Sequence, residues 1–179
     1  MRDKVFELMA QAGKREEIEK TLSCNERTER FGITLTGRDA VILVKNQQEI
    51  LKRQRRIELG ESILPQLIET FCDSEYVNGD NFTETVMELQ DIFFLYKNES
   101  ADRLTDEELL YVMKELFEEV CFGSAEYLKE TCLERFARAV RAGYQGDVER
   151  EAGRLYEQLS EEKRWDAELY LRLINEEIT

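Results

Sequence analysis

Apolar residues recur along this chain at three- and four-residue intervals, separated by short polar loops, and the pattern predicts helix after helix. Val5, Phe6, Leu8, Met9, Ala12, Ile18 and Leu22 predict a first amphipathic helix from about residue 3 to 22, loosened at Gly13. The stretch 23–36 lacks that period, and Phe31 to Leu35 suits an extended run. Thr36 is followed three residues later by Asp39, the form of a capping box. Ala40, Val41, Leu43, Val44, Gln47, Ile50 and Leu51 carry the helix it opens to about Arg56. Gly60 and Ser62 introduce a short helix that tolerates Pro65 in its first turn and buries Ile63, Leu64, Leu67, Ile68 and Phe71.

Beyond the loop Asp73 to Asp80, residues Phe82, Val86, Leu89, Phe93 and Tyr96 mark a helix over about 81–97. Thr105 with Glu108 is a second capping box, ahead of Leu109, Val112, Met113, Leu116, Phe117 and Val120. Gly123 ends that helix. Ser124 starts another that runs to about Ala142, with Ala125, Leu128, Cys132, Phe136 and Val140 on its apolar side. Residues 147–178 read as two helices, or one bent near Ser160, with Trp165 as a packing anchor. The expectation is an all-α fold over residues 1–179, a single-domain bundle or array of about seven to eight amphipathic helices. Residues 134–179 either pack on the remainder or form an appendage. No 33- or 34-residue repeat is present, which argues against a solenoid.

Composition agrees with this reading, since 36% of residues are charged and the chain has only nine Gly and one Pro. No apolar run approaches the ~20 residues that span a bilayer. Charges interrupt MRDKVFELMAQAGKREE too early for a secretory signal, so a cytoplasmic location and no membrane partner are expected. In that compartment Cys24, Cys72, Cys121 and Cys132 are expected as free thiols. Histidine is absent altogether. That removes Ser-His-Asp and Cys-His nucleophiles, ExxH di-iron ligands and imidazole acid–base chemistry. Catalysis would have to rest on carboxylates, Lys, Tyr, a thiol or a divalent metal, and no cofactor is expected.

The net charge of −14 is confined to one third of the chain. Residues 57–123 hold 17 acidic and 3 basic side chains, and the rest of the chain balances to zero. Immediately before them, 38–56 is basic, with Arg38, Lys45, Lys52, Arg53, Arg55 and Arg56 against Asp39 and Glu49.

The segments CNERTERFGITLT (24–36), ILPQLIETFCDS (63–74), ELQDIFFLYKNES (88–100) with LTDEELL (104–110), and CFGSAEYL (121–128) resemble a family of small bacterial all-helical proteins. That family is an uncharacterised one, a domain of unknown function, and the resemblance covers residues 24–133. It implies a bacterial, cytosolic helical protein and carries no activity.

Three groups of residues invite a chemical reading. Asp73 to Glu84 has the length of a calcium loop, but Val77 and Asn78 stand where a ligand and the turn glycine belong, so it reads as a plain connection. Glu84, Glu88 and Asp91 share a helical face, the carboxylate spacing that all-helical nucleotide hydrolases use for Mg²⁺. That face lies 180–240° round from the apolar line of the same helix by ~100° per residue. It is therefore read first as a solvated contact surface and second as a candidate metal site. The basic helix end 45–56, with Arg53, Arg55 and Arg56, lacks interleaved aromatics and a glycine-rich phosphate loop. It reads as a dipole-favoured terminus, and nucleic acid is not the expected partner.

The reading that follows is a non-catalytic cytosolic helical protein acting through protein–protein contacts on an acidic surface. Its partner is an unknown protein or a second copy in a homodimer. Glu84, Glu88, Asp91, Arg53, Arg55 and Arg56 are the candidate contact residues. A Mg²⁺-dependent nucleotide or phosphate hydrolase is the first alternative. Nucleic-acid binding through 45–56 is the second.

Overall fold

The computed structural model describes residues 2–133 together with 137, 140 and 141. Every regular element among them is helical, and no strand occurs among the described residues. The helices are α1 (Arg2–Ser23), α2 (Asn25–Thr28), α3 (Gly37–Gln54), α4 (Ile63–Phe71), α5 (Phe82–Glu99), α6 (Asp106–Glu119) and α7 (Ala125–Tyr127). A π-helical turn, Leu128–Cys132, continues α7. The expected helices beyond 147, Trp165 among them, lie outside the described residues. The chain divides into two compact units, one of residues 1–73 and 77–90, the other of 74–76 and 91 onward.

In the first unit, the Thr36 hydroxyl accepts from the Asp39 N–H, and the Asp39 carboxylate takes the Thr36 N–H at 2.8 Å, so α3 opens on the anticipated capping box. Burial acts to raise the pKa of Asp39, but donors from Thr36 and Thr83, with Arg38 nearby, outweigh it and hold the carboxyl below its ordinary range. The helix closes through Arg55 in the left-handed conformation (φ 53°), with Lys52 and Arg53 in its last turn, where the dipole favours cations. Ser62 caps α4 by accepting the Leu64 N–H, and Ile63, Leu64, Leu67, Ile68 and Phe71 are all buried. Their apolar neighbours in the core include Cys24, Ile33, Leu35, Leu43, Val44, Cys72, Phe82 and Val86.

The run expected from Phe31 begins only at Ile33, because Glu29–Phe31 form a 3-10 turn closed by left-handed Gly32; it has no strand partner, yet Ile33 and Leu35 are buried in alternation with exposed Thr34. Two side chains stand in for a strand. Asn25 gives its Nδ2 to the Leu35 carbonyl and accepts the Leu35 N–H, both at 2.8 Å. The Thr28 hydroxyl donates to the Ile33 carbonyl at 2.8 Å. Buried backbone groups must find partners, and the CNERT segment supplies them.

A buried polar chain also runs through this unit. Gln90 is fully buried; its Nε2 donates to the Gln47 Oε1 at 2.9 Å and the Leu43 carbonyl at 3.1 Å, while its Oε1 accepts from Asn46 at 2.8 Å. Gln47 passes its own Nε2 to Glu58 at 2.8 Å, and the second Glu58 oxygen takes the Ile63 N–H at the head of α4. Every link has a partner, which is the condition for a buried network to specify one arrangement instead of costing stability.

In the second unit, Thr105 and Glu108 form the second anticipated capping box. The α6 stripe Leu109, Val112, Met113, Leu116 and Phe117 is buried. Phe93 and Phe94 meet edge to face at 5.3 Å. The loop from α5 to α6 places Ala101 and Asp102 in successive left-handed conformations (φ 54° and 55°). Lys97, nearly buried, steadies it by donating to the Leu104 carbonyl at 2.6 Å and pairing with Asp106 at 2.9 Å. Where the sequence predicts one continuous α-helix from Ser124, the backbone widens at 128–132, and the Tyr96 hydroxyl donates to the Lys129 carbonyl there. Inserted side-chain donors commonly accompany such turns.

Candidate functional site

Within the first unit, α1 departs from its expected role. Its last turns dock: Thr21 is buried, Glu17, Ile18 and Leu22 are partly buried, and α1 packs against α3 with further contacts to α2 and α4. The described apolar side chains of its first turns do not, while that of Phe6 lies outside the described ones. Val5 is 52% exposed, Leu8 64% and Met9 66%, and Ala12 is exposed as well. At 100° per residue these four centre roughly 160° round the helix from the docked residues. The apolar residues read from the sequence as one face therefore divide: Ile18 and Leu22 dock, whereas Val5, Leu8, Met9 and Ala12 point away from the body on which α1 sits. Gly13 does not interrupt the helix, and a Cβ there would meet nothing within 4 Å.

Beside the middle of α1, a cavity of about 200 Å³ is bounded by Gly13, Glu16, Glu17, Lys20, Gly60 and Ser62. Burial, followed by repulsion from Glu58, raises the pKa of Glu17, while a hydrogen bond from Gln48 and the charge of Lys20 pull the other way. Lys20 is itself paired with Glu16 at 2.9 Å. A carboxyl so placed holds its proton more tightly than usual; of the hydroxyls lining the cavity, that of Thr21 donates to the Glu17 carbonyl at 2.8 Å and that of Ser62 accepts the Leu64 N–H at the head of α4. The loop bounding the cavity carries Ile57 and Leu59, 84% and 92% exposed, which the sequence reading passed over. Their one sequence signal is two large apolar residues in a turn between Arg56 and Gly60.

Of the candidate contact residues, Arg53 and Arg55 are exposed and Arg56 is half-buried. Arg53 and Arg56 are engaged by neighbouring groups. Glu84 and Glu88 are exposed on the first half of α5. In the second unit, Asp91 is partly covered and pairs with Lys129 at 3.1 Å. The second half of α5 also buries Ile92, Phe94 and Lys97, so its covered arc is wider than the single apolar line suggested. Among the described residues, no group of three or more His, Cys, Asp or Glu is placed to hold a metal ion. In the would-be calcium loop, the Asn78 side chain accepts the N–H groups of Asp80 and Asn81, and Asn81 accepts that of Asn78, so these oxygens serve the turn.

The second unit carries a like-charge group on α6. Burial raises the pKa of Glu115, and the carboxylates of Glu119 and Glu118 add to it against Lys114, which pairs with Glu118 at 2.7 Å. Nearby, Gly123 (φ 80°) lies so close to Tyr76 that a Cβ would fall 2.4 Å from the tyrosine Cβ. The Tyr76 ring packs edge-on against Phe117 at 6.3 Å. Arg141 pairs with Glu99 at 3.2 Å. Cys24, Cys72 and Cys121 are buried free thiols, and burial pushes Cys24 up to about 11. That shift keeps Cys24 from the thiolate form a nucleophilic cysteine requires. No helix among the described residues is long and apolar enough to cross a membrane.

A family model described as a family of unknown function (DUF6323) matches residues 20–146 and so contains all four of the segments that carry the resemblance. No curated protein matches the chain. No solved structure does either.

Proposed function

The chain belongs to the family of unknown function DUF6323, which brings no activity with it, and we propose that it is a non-catalytic helical protein acting through surface contacts. The carrying observation is the outward apolar stripe Val5, Leu8, Met9 and Ala12 on α1, opposite that helix's own docking face. Single exposed hydrophobics are ordinary, but a contiguous set on one helix face is the mark of a surface that meets something. Exposed Ile57 and Leu59 extend the apolar area of the same unit. Glu84 and Glu88 offer a second, acidic contact. No observation favours the hydrolase or the nucleic-acid reading over this one.

The test is whether the stripe serves the fold or a contact. Replacing Leu8 and Met9 together by Ser removes apolar atoms that face water, so the melting midpoint of dilute protein should stay within roughly 2 °C of wild type, as for other surface substitutions. A drop of roughly 6 °C or more would place the stripe in the chain's own core and defeat the contact reading.

A further inference from the structure

We propose that the loop between α3 and α4 docks an acidic, apolar segment of another protein, with Ile57 and Leu59 as the anchors. This rests on the contact reading above and names a partner chemistry for it, on a surface apart from the α1 stripe. Three consecutive residues show how the loop is built. Glu58 turns inward, one carboxylate oxygen accepting from the Gln47 Nε2 and the other from the Ile63 N–H, both at 2.8 Å. On either side of it Ile57 and Leu59 turn outward into water. Left-handed residues bracket the loop, Arg55 (φ 53°) before it and Gly60 (φ 93°) after it. The Arg56 N–H closes on the Leu51 carbonyl at 2.9 Å. The backbone is therefore fixed in an arrangement that shows two large apolar side chains to solvent, and it holds Arg55 where L-residues are disfavoured to do so. Either residue alone would be ordinary. A pair held outward by a buried carboxylate has the pre-organised form that a binding anchor needs, because little freedom is left to lose on contact.

The surroundings state the partner's chemistry. Lys52 and Arg55 are exposed at the end of α3, next in the chain to the apolar pair. Arg53 is a third exposed cation there, engaged by a neighbouring group. Of the nearby acids, Glu58 is occupied inside, Glu49 lies a turn back on α3, and Glu61 stands beyond Gly60, within range of the Lys20 charge. Carboxylates on the partner would meet Lys52 and Arg55 while its apolar side chains cover Ile57 and Leu59.

An anionic bilayer has related chemistry but fits less well. Its extended surface faces the whole molecule, whose net charge of −14 repels it. A short segment meets only what lies within a Debye length of ~8 Å, and there Lys52 and Arg55 act. Two apolar side chains also offer less than the single acyl chain that gives only marginal attachment. Finally, a cavity of about 200 Å³ opens beside Gly60, a hollow that a side chain can fill and a bilayer surface leaves empty.

The probe is a library of random short peptides displayed on phage. It is selected on the full chain at low salt and counter-selected on the full chain carrying Ile57→Ser with Leu59→Ser. Peptides that separate the two should carry Asp or Glu within a few positions of a large apolar residue. A labelled synthetic copy of the enriched consensus should bind wild type in fluorescence anisotropy, more weakly as salt rises. Ile57→Ser with Leu59→Ser should weaken that binding by roughly tenfold or more. Lys52→Gln with Arg55→Gln should weaken it by roughly two- to fivefold. All four side chains are exposed, so both variants should melt within roughly 2 °C of wild type.

A library that yields no peptide separating wild type from the serine variant overturns the proposal. So does a consensus without acids, or a peptide whose affinity is unchanged by Lys52→Gln with Arg55→Gln. Vesicles of phosphatidylcholine with phosphatidylserine form the lipid arm. Sedimentation of the chain with them, abolished by Ile57→Ser with Leu59→Ser, would assign the loop to a bilayer and overturn the proposal as well. None of these results alters the melting of the Leu8→Ser, Met9→Ser variant, so the two readings fail independently.

Discussion

Gly123→Ala should be the most damaging methyl that can be added to this protein at a glycine of the described residues. The new Cβ would lie 2.4 Å from the Cβ of Tyr76, 2.5 Å from its Cγ and 2.9 Å from its Cδ1. Real carbons do not approach so closely, and a tyrosine Cβ is tied to backbone, so the ring cannot simply swing aside. Moving Tyr76 also disturbs its edge-on contact with Phe117, which is fully buried. Two costs combine: about 1–2 kcal/mol for an L-residue held at positive φ, and about 1–3 kcal/mol for overpacking. At ~2–4 °C per kcal/mol for a chain of this size, the combined cost of about 2–5 kcal/mol should lower the midpoint by roughly 4–20 °C. Gly60→Ala is the control, because Gly60 also has positive φ (93°) but nothing within 4 Å of its missing Cβ. It should cost only the backbone part, so its midpoint should fall by a few degrees. Thermal melts by circular dichroism at matched concentration decide the matter. A Gly123→Ala loss no larger than that of Gly60→Ala would refute the steric account.

Two other outcomes follow from the charges. The raised pKa of Glu17, from burial first and Glu58 second, means the native state binds that proton more tightly than the unfolded chain. The associated stability is full below the unfolded carboxylate pKa and is lost as pH rises through the raised native value. Glu17→Gln should therefore raise the midpoint at about pH 7 and leave it close to wild type at about pH 4; a lower midpoint at pH 7 would contradict the cause assigned. On α5, Glu84→Lys with Glu88→Lys should leave the midpoint within roughly 2 °C, and millimolar Mg²⁺ or Mn²⁺ should not move that of wild type. A midpoint raised by the metal in wild type and not in the variant would reinstate the hydrolase reading.

Much of the fold is legible because helix starts and buried stripes are local signals. Thr36 with Asp39, Ser62, and Thr105 with Glu108 each cap the helix they announce. The α4 and α6 stripes lie in the core at the positions their spacing gives. What escapes is whatever depends on a distant partner. Gln47 stands at a buried spacing of α3, but the bond that Gln90 donates to it across 43 residues, and with it the burial of Gln90 on α5, is announced by neither spacing nor polarity. The extended run at 33–35 is held by Asn25 and Thr28, so its partner is two side chains and no strand reveals it. Asp91 lies opposite the apolar line of α5 yet is partly covered, since Lys129 reaches it from 38 residues away. On α1 the sequence reading grouped Val5, Leu8, Met9 and Ala12 with Ile18 and Leu22, although the first four form a face of their own. Which way that face points was set by Glu17, Ile18, Thr21 and Leu22 further along the helix.

That last point bears on why α1 is built as it is. A stretch of about twelve residues is marginal as a helix in water unless something packs on it. The first turns of α1 have Val5, Leu8 and Met9 exposed, and Gly13 lies between them and the docked turns. Their helicity is therefore carried by propagation from the docked end, through the residue most costly to it short of proline. Had the first turns served only to complete the chain's own core, the stripe would lie near the face of Thr21 and Leu22, not half a turn away. Had they served only as a solvated terminus, four apolar residues in register would have no use there. A helix end that is apolar on its outer side and reached only through Gly13 is suited to a contact beyond the chain's own core. Contact then supplies the burial that the fold withholds.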